Sequence, residues 1–251
     1  MNILLTNDDG VYAIGLLELQ SALAGEHDIY IIAPDTEMSA CSNAITTRSK
    51  LKIREIRDKV YSVSGFPADC VNIGINGGII PDIDIVLSGI NHGPNVGNDV
   101  IFSGTVAGAR TAYVFGKSGI AVSLDSYHKP SIFYKDTSQF IKQFIQVNKK
   151  DLLAKRVLLN INYPDVSKKE IKGVVYTHLG NRIYRDQYHK EIISDTEIAM
   201  KLDGSFEYIH DDGSDVTVIK DGYISITPLS VDCTDITYLQ DIRSGTKNVI
   251  N

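Results

Sequence analysis

The feature that most constrains this chain is a short apolar run ending on two adjacent carboxylates. Ile3-Leu4-Leu5 lies inside the uncharged stretch Asn2 to Thr6, and three consecutive apolar side chains predict a strand buried on both faces. The run stops at Asn7-Asp8-Asp9-Gly10. A helix-length segment follows from about Ala13 to Ala24, with Ile14, Leu17 and Leu23 among its apolar positions. Asp28 to Ala33, ended by Pro34, supplies the next strand, so residues 2–33 predict a βαβ unit. Open α/β sheets place ligands beyond the carboxyl ends of their strands, which is where Asp8 and Asp9 then fall. Two neighbouring carboxylates repel each other and resist desolvation, and a divalent cation relieves both penalties. The same residues also read as a helix cap at Asp8 followed by an Asp9-Gly10 turn, and residue types alone leave both readings open.

The remaining composition narrows the class. A chain of 251 residues, 43% of them hydrophobic, suits one large α/β domain or a core with a smaller attachment. No apolar run approaches the length of a membrane span. The first residues show no basic segment or small-residue cleavage pattern, which predicts no secretory signal. Cys41, Cys70 and Cys233 are scattered without metal-ligand spacing, the pattern of reduced thiols in the cytoplasm. A formal charge of −6 disfavours binding to a nucleic-acid polymer but permits a small anion held at a local metal.

Pro34 to Thr47, with Ser39, Ser42 and Asn43, reads as either an active-site loop or a connector. Leu51 to Ile56 and Val60 to Val63 predict a hairpin, and Pro67 opens a helix to about Asn76. Asp84 to Leu87 predicts another buried strand. It runs into the densest motif of the chain, Ser88-Gly89-Ile90-Asn91-His92-Gly93-Pro94-Asn95-Val96-Gly97-Asn98-Asp99. The spacing of a dinucleotide fingerprint is absent, and no Gly-Lys-Ser/Thr follows. What remains is a loop of amide and hydroxyl ligands with glycines that admit an anion close to the backbone. Ser103-Gly104-Thr105 then opens a helix over Val106 to Phe115, either as a phosphate site or as a simple N-cap. Further on, Gly119 to Leu124 and Arg156 to Asn162 predict strands, and Pro130 to Val147 an amphipathic helix.

From about Pro164 the chain turns charged and polar, which predicts an extension with hairpins that offer pairing between subunits. Arg182-Ile-Tyr-Arg185-Asp186 reads there as a solvated or interface face. Tyr223 to Thr227 predicts a returning strand, and Asp235 to Gly245 a closing helix. The division is therefore a core over 1–163 and an extension over 164–251. An aspartyl phosphatase of the haloacid-dehalogenase type is disfavoured, because the adjacent Asp8-Asp9 do not form D-x-D. A phosphate or nucleotide sensor shares the glycine loop and helix start, but Asp8-Asp9 would oppose simple anion binding.

Several motifs together resemble the SurE family of survival-protein nucleotidases. They are Leu4-Leu5-Thr6-Asn7-Asp8-Asp9-Gly10, Ala33-Pro34-Asp35 with Ser39, Ser42 and Asn43, Pro67-Ala68-Asp69, the Ser88 to Gly97 run, Ser103-Gly104-Thr105-Val106, Leu179-Gly180, Gly213-x-Asp215 and Gly222 to Leu229. The resemblance spans nearly the whole chain. It implies an α/β fold: a Rossmann-like parallel-sheet core with helices on both faces and a C-terminal β-hairpin and helix extension. It also implies a homodimer or homotetramer. The activity it implies is metal-dependent hydrolysis of nucleoside 5′-monophosphates, with 3′-monophosphates and short polyphosphate as further substrates. Carried over by position, the metal ligands are Asp8, Asp9, Ser39 and Asn91, holding one Mg²⁺ or Mn²⁺ per subunit, and Asp8 and Asp9 are the catalytic pair. Asn95, Ser103, Gly104 and Thr105 surround the phosphate. The chain departs from the family pattern between Tyr188 and Gly213, where it is charged and has no Trp.

Overall fold

The computed structural model describes residues 1–126 and 131–245. The predicted helix start at Pro130 lies outside the described residues. In chain order the elements begin with β1 (Asn2–Thr6), α1 (Ile14–Leu23), β2 (Asp28–Pro34), β3 (Ile53–Arg57), β4 (Val60–Val63) and α2 (Pro67–Asn76). There follow β5 (Ile85–His92), α3 (Asp99–Phe102), α4 (Gly104–Val114), β6 (Ser118–Asp125), α5 (Tyr134–Ala154) and β7 (Leu158–Pro164). The C-terminal part adds β8 (Val174–Tyr176), β9 (Arg182–Ser194), β10 (Glu197–Tyr208), α6 (Asp215–Lys220), β11 (Ile224–Pro228) and α7 (Ile236–Arg243).

One sheet runs β3-β4-β2-β1-β5-β6-β7-β11-β8. Its centre, from β4 through β7, is parallel throughout, whereas β3 and β11 enter antiparallel. The double burial expected of β1 arises from alternation. Ile3 and Leu5 pack into a cluster with Leu16, Leu19, Ile141 and Ile145 of α1 and α5. Leu4 packs on the opposite face with Cys70, Val71 and Ala112 of α2 and α4. Fully burying side chains of this size stabilises the fold by roughly 1.5–3 kcal/mol each, so both helical layers are held to the sheet by β1 itself.

Topology positions the site. From β1 the chain moves outward to β2 and β4 on one side, and it returns to β1's other side with β5 before continuing to β6 and β7. The order therefore reverses between β1 and β5, whose registered ends are Thr6 and Ser88. The crevice beyond that reversal is where open α/β sheets bind ligands. Two details depart from the sequence reading. β5 does not stop at Leu87, because its pairing to β6 resumes after an irregularity, with Asn91 opposite Ser123 and His92 opposite Leu124. The short helix α3 was also not expected.

The extension is part sheet and part projection. β11 returns to the main sheet against β7, while β9 and β10 form a separate two-stranded ribbon with most of its side chains exposed. One ribbon face carries Tyr184, Tyr188, Ile192, Ile198, Leu202 and Phe206, and the other is polar apart from Ile183 and Ile193. The closing helix α7 buries no residue within the chain.

Candidate metal and phosphate site

Asn7 shapes the turn after β1. Its side-chain amide donates to Gly10 O at 2.9 Å, and its Oδ1 accepts from Gly10 N at 3.2 Å. The chain thus turns sharply with Asp8 and Asp9 at the sheet's end. Asp8 is only 4% exposed, and the Thr105 hydroxyl donates to its Oδ1. Burial raises the Asp8 carboxyl above its ordinary value. Asp9 is half-buried and pushed up to about 7, first by desolvation and then by the charge of Asp8. Among the described residues neither carboxylate forms an ion pair with a Lys, Arg or His.

The first turn of α4 lies directly against Asp8. Gly104 makes this approach possible, since a Cβ there would sit 2.9 Å from Asp8 Cβ and Oδ2 and 2.8 Å from Cys41 Sγ. Ser103 is the N-cap, its Oγ accepting from Val106 N at 3.0 Å. The capping reading of Ser103 is therefore realised, and the same residue also lines the cavity in front of Asp8. The loop after β2 is tied to both sides: Met38 N donates to Asp8 O at 2.7 Å, and Ser42 N donates to Phe102 O at 2.8 Å.

Of the residues expected to bind metal or phosphate, Asp8, Ser39, Asn91, Asn95 and Ser103 line one cavity of about 230 Å³. Thr105 supports Asp8 from behind, and Gly104 forms the close contact. Asp9 faces an adjoining cavity of about 210 Å³ with Gly15, His92 and Tyr134, and its Oδ2 accepts from His92 N at 3.3 Å. Ser39 is exposed, and its hydroxyl donates to Glu37 Oε1 at 2.8 Å. Asn91 uses its amide nitrogen on Gly93 O at 2.8 Å, which leaves Oδ1 for another partner. Asn95 is locked in place: its backbone N donates to Asn162 Oδ1 at 2.8 Å, and its Nδ2 donates to Ser123 Oγ at 2.8 Å.

These donors fit a hard divalent cation. The set is all oxygen, the buried Asp8 and half-buried Asp9 lack a cationic partner among the described residues, and Asn91 presents an unused amide oxygen. The described residues contain no group of three His, Cys, Asp or Glu side chains able to hold a metal by themselves, so hydroxyl and amide oxygens, and water, must complete any shell.

Residue-by-residue reading missed the far wall of the cavity. Asp99, Phe102 and Tyr184 line it. Arg182, read from sequence as part of a solvated or interface face, is 6% exposed, because it pairs with Asp99 at 2.5 Å and lies over the rings of Phe206 and Tyr208 at 4.2 and 4.9 Å. Tyr184 donates its hydroxyl hydrogen to Asp99 Oδ1. Asp215 was also passed over. It is fully buried and accepts from Gly97 N at 2.9 Å and Gly180 N at 2.7 Å, fixing the glycine loop to the extension. Its signal was its place in the Gly213-x-Asp215 motif.

The model of the family described as survival protein SurE matches residues 3–186. A protein of Leptospira interrogans named 5′-nucleotidase SurE is 39% identical, with 99% of this chain and 100% of that protein aligned. One of the same name from Pseudoalteromonas atlantica is 38% identical over 97% of this chain and 98% of its own length. Among solved structures, the SurE protein from Aquifex aeolicus superposes with a TM-score of 0.84 at 31% identity, covering 98% of this chain and 100% of that one. A family match across most of the chain, near end-to-end relatives and a solved structure of the same fold lead to one conclusion: this chain belongs to the SurE family.

Proposed function

We propose that this protein is a divalent-metal-dependent phosphomonoesterase that hydrolyses nucleoside 5′-monophosphates to nucleoside and phosphate. The observation that carries the reading is the pair of carboxylates, Asp8 and Asp9, desolvated at the switch point and, among the described residues, without an ion-pairing Lys, Arg or His. The names of the relatives, 5′-nucleotidase SurE, supply the substrate class. Nucleoside 3′-monophosphates and short polyphosphate share the same terminal phosphoryl group and are proposed as further substrates.

Asp8, Asp9, Ser39 and Asn91 would hold one Mg²⁺ or Mn²⁺ per subunit. Bound there, the ion supplies Lewis acidity toward the phosphoryl oxygens and toward an attacking water. Asn95, Ser103, Gly104 and Thr105 orient the phosphate, with the amino end of α4 directed at its charge. Asn95 Nδ2 gives one hydrogen to Ser123 Oγ and keeps its second for the phosphate. Asp8, buried and supported by Thr105, holds its geometry through the reaction. Asp9, the less buried of the two, takes the proton of the attacking water.

The exposed apolar side chains of the β9–β10 ribbon and the absence of any fully buried residue in α7 support assembly into a homodimer or homotetramer. Three free cysteines suit a reducing cytoplasm. Among the described residues no helix is long and apolar enough to cross a membrane.

The test is phosphate release from a panel of nucleoside monophosphates in EDTA, then with Mg²⁺ or Mn²⁺ restored. Release only with metal is expected. Binding of nucleotide without release under any metal would overturn the hydrolase in favour of a sensor.

A further inference from the structure

The cavity in front of Asp8 is lined by two chemically unlike sets of residues. Asn91, Asn95 and Ser103 offer amide and hydroxyl groups beside the helix start. Asp99, Phe102 and Tyr184 supply a carboxylate and two aromatic rings. An unneutralised carboxylate at Asp99 would repel a phosphate, but Arg182 Nη1 lies 2.5 Å from Asp99 Oδ2 and cancels that charge. Arg182 is held in turn by Tyr208, whose hydroxyl accepts from Nη2 at 2.8 Å, and by the Phe206 ring. This set of residues is therefore close to neutral, carries two aromatic rings and is rigidly built.

The hydrogen-bond polarity of Tyr184 decides what it suits. Burial, and then the hydrogen bond to Asp99, push its phenol up to about 12, so the hydroxyl stays protonated. Its single hydrogen is committed to Asp99 Oδ1, so Oη acts only as an acceptor, within reach of the Arg182 guanidinium and of the cavity it lines. A phosphate oxygen is also an acceptor and finds no complement there. A sugar hydroxyl is a donor and does. The second lone pair on each Asp99 oxygen adds to the same preference.

Resting on the nucleotidase reading above, we propose that Tyr184 binds the sugar of the departing nucleoside. Its Oη, beside Asp99, accepts from a ribose hydroxyl while the Tyr184 and Phe102 rings flank the nucleoside. Arg182 is the positioning residue that keeps Asp99 and Tyr184 in place. The substrate class this selects is the ribonucleoside monophosphate over esters that lack sugar hydroxyls. It also gives the ribbon a role in the site, since Tyr184 belongs to β9 and heads the ribbon's apolar face.

The experiment compares kcat and KM for a ribonucleoside 5′-monophosphate and its 2′,3′-dideoxy analogue, in the unaltered protein and in Tyr184→Phe, with Mn²⁺ present. Tyr184 is 42% exposed and the change removes one oxygen, so the variant keeps its fold. The unaltered protein should prefer the ribonucleotide by about fivefold to tenfold in kcat/KM, mainly through KM, as expected for one net hydrogen bond. Tyr184→Phe should bring the two substrates to within about twofold, a range inside the smallest net hydrogen-bond contribution. A preference that survives in Tyr184→Phe, or one absent from the unaltered protein, overturns the proposal while leaving the nucleotidase reading standing. Failure of the unaltered protein to hydrolyse either substrate refutes that reading and this proposal together.

Discussion

Replacing Gly104 by Ala is the most informative single perturbation of the site, because the added methyl acts on Asp8 without removing any polar group. The methyl would lie 2.9 Å from Asp8 Cβ and Oδ2 and 2.8 Å from Cys41 Sγ, where ordinary contacts between carbon atoms are about 3.5–4.0 Å. Asp8 has little room to retreat: Thr105 holds its carboxylate, and Met38 N holds its backbone oxygen at 2.7 Å. Overpacking of this kind costs roughly 1–3 kcal/mol, and the helix preference of Ala over Gly returns up to about 1 kcal/mol. The net destabilisation is then about 0–3 kcal/mol, a fall in Tm of no more than roughly 12 °C for a chain of this size. Metal affinity should suffer far more, because a displaced carboxylate no longer points where the other oxygens meet. By analogy with perturbed supports of metal ligands, Mn²⁺ affinity and turnover should each fall about 10–100-fold. Mn²⁺ titration, phosphate release and urea unfolding on the same preparation separate the two effects. A Gly104→Ala protein that binds Mn²⁺ and turns over normally would refute the placement of Asp8 among the ligands.

The elements that could be read from sequence are those whose signal is local. Ile3-Leu4-Leu5 before Asn7-Asp8-Asp9-Gly10 announces a buried strand and a turn, and β1 with its turn is what the fold contains. Pro67 opens α2 as expected, and Ser103 caps α4. The far wall was not legible, since its parts meet only in three dimensions. Asp99 and Arg182 are 83 positions apart, and a basic residue in a polar stretch looks solvated until Phe206, Tyr208 and Asp99 close around it. A faint sign existed in the alternation that puts Arg182, Tyr184 and Tyr188 on one face of β9. The extension of β5 to His92 was hidden for a related reason. Glycine and asparagine argue for a loop locally, while pairing with Ser123 and Leu124 of β6 keeps the strand going.

Three further outcomes follow from burial and charge. Asp8→Asn should reduce turnover by orders of magnitude, yet in EDTA its Tm should equal or exceed that of the unaltered protein, because one of two repelling buried charges is gone. A lower Tm in EDTA would count against that reading. Asp125 is raised by burial from 3.8 to about 6, so the folded state holds its proton more tightly between those values. Its stabilising contribution is fully present below about pH 4 and is lost as pH rises through about 6, roughly 3 kcal/mol in all. Urea unfolding at pH 4 and pH 7 should show that decline reduced by this amount in Asp125→Asn, and an unchanged decline would remove Asp125 as its source. Arg182→Ala should cost about 3–5 kcal/mol, because it leaves the Asp99 carboxylate, 12% exposed and already raised by burial, without its cation. The double variant Arg182→Ala/Asp99→Asn tells an orphaned charge from lost packing. If the charge dominates, neutralising Asp99 should recover most of the loss; if the guanidinium mattered only by filling space beneath Phe206 and Tyr208, the double variant would be no more stable than Arg182→Ala, and the ion pair would not be what secures the ribbon to the cavity wall.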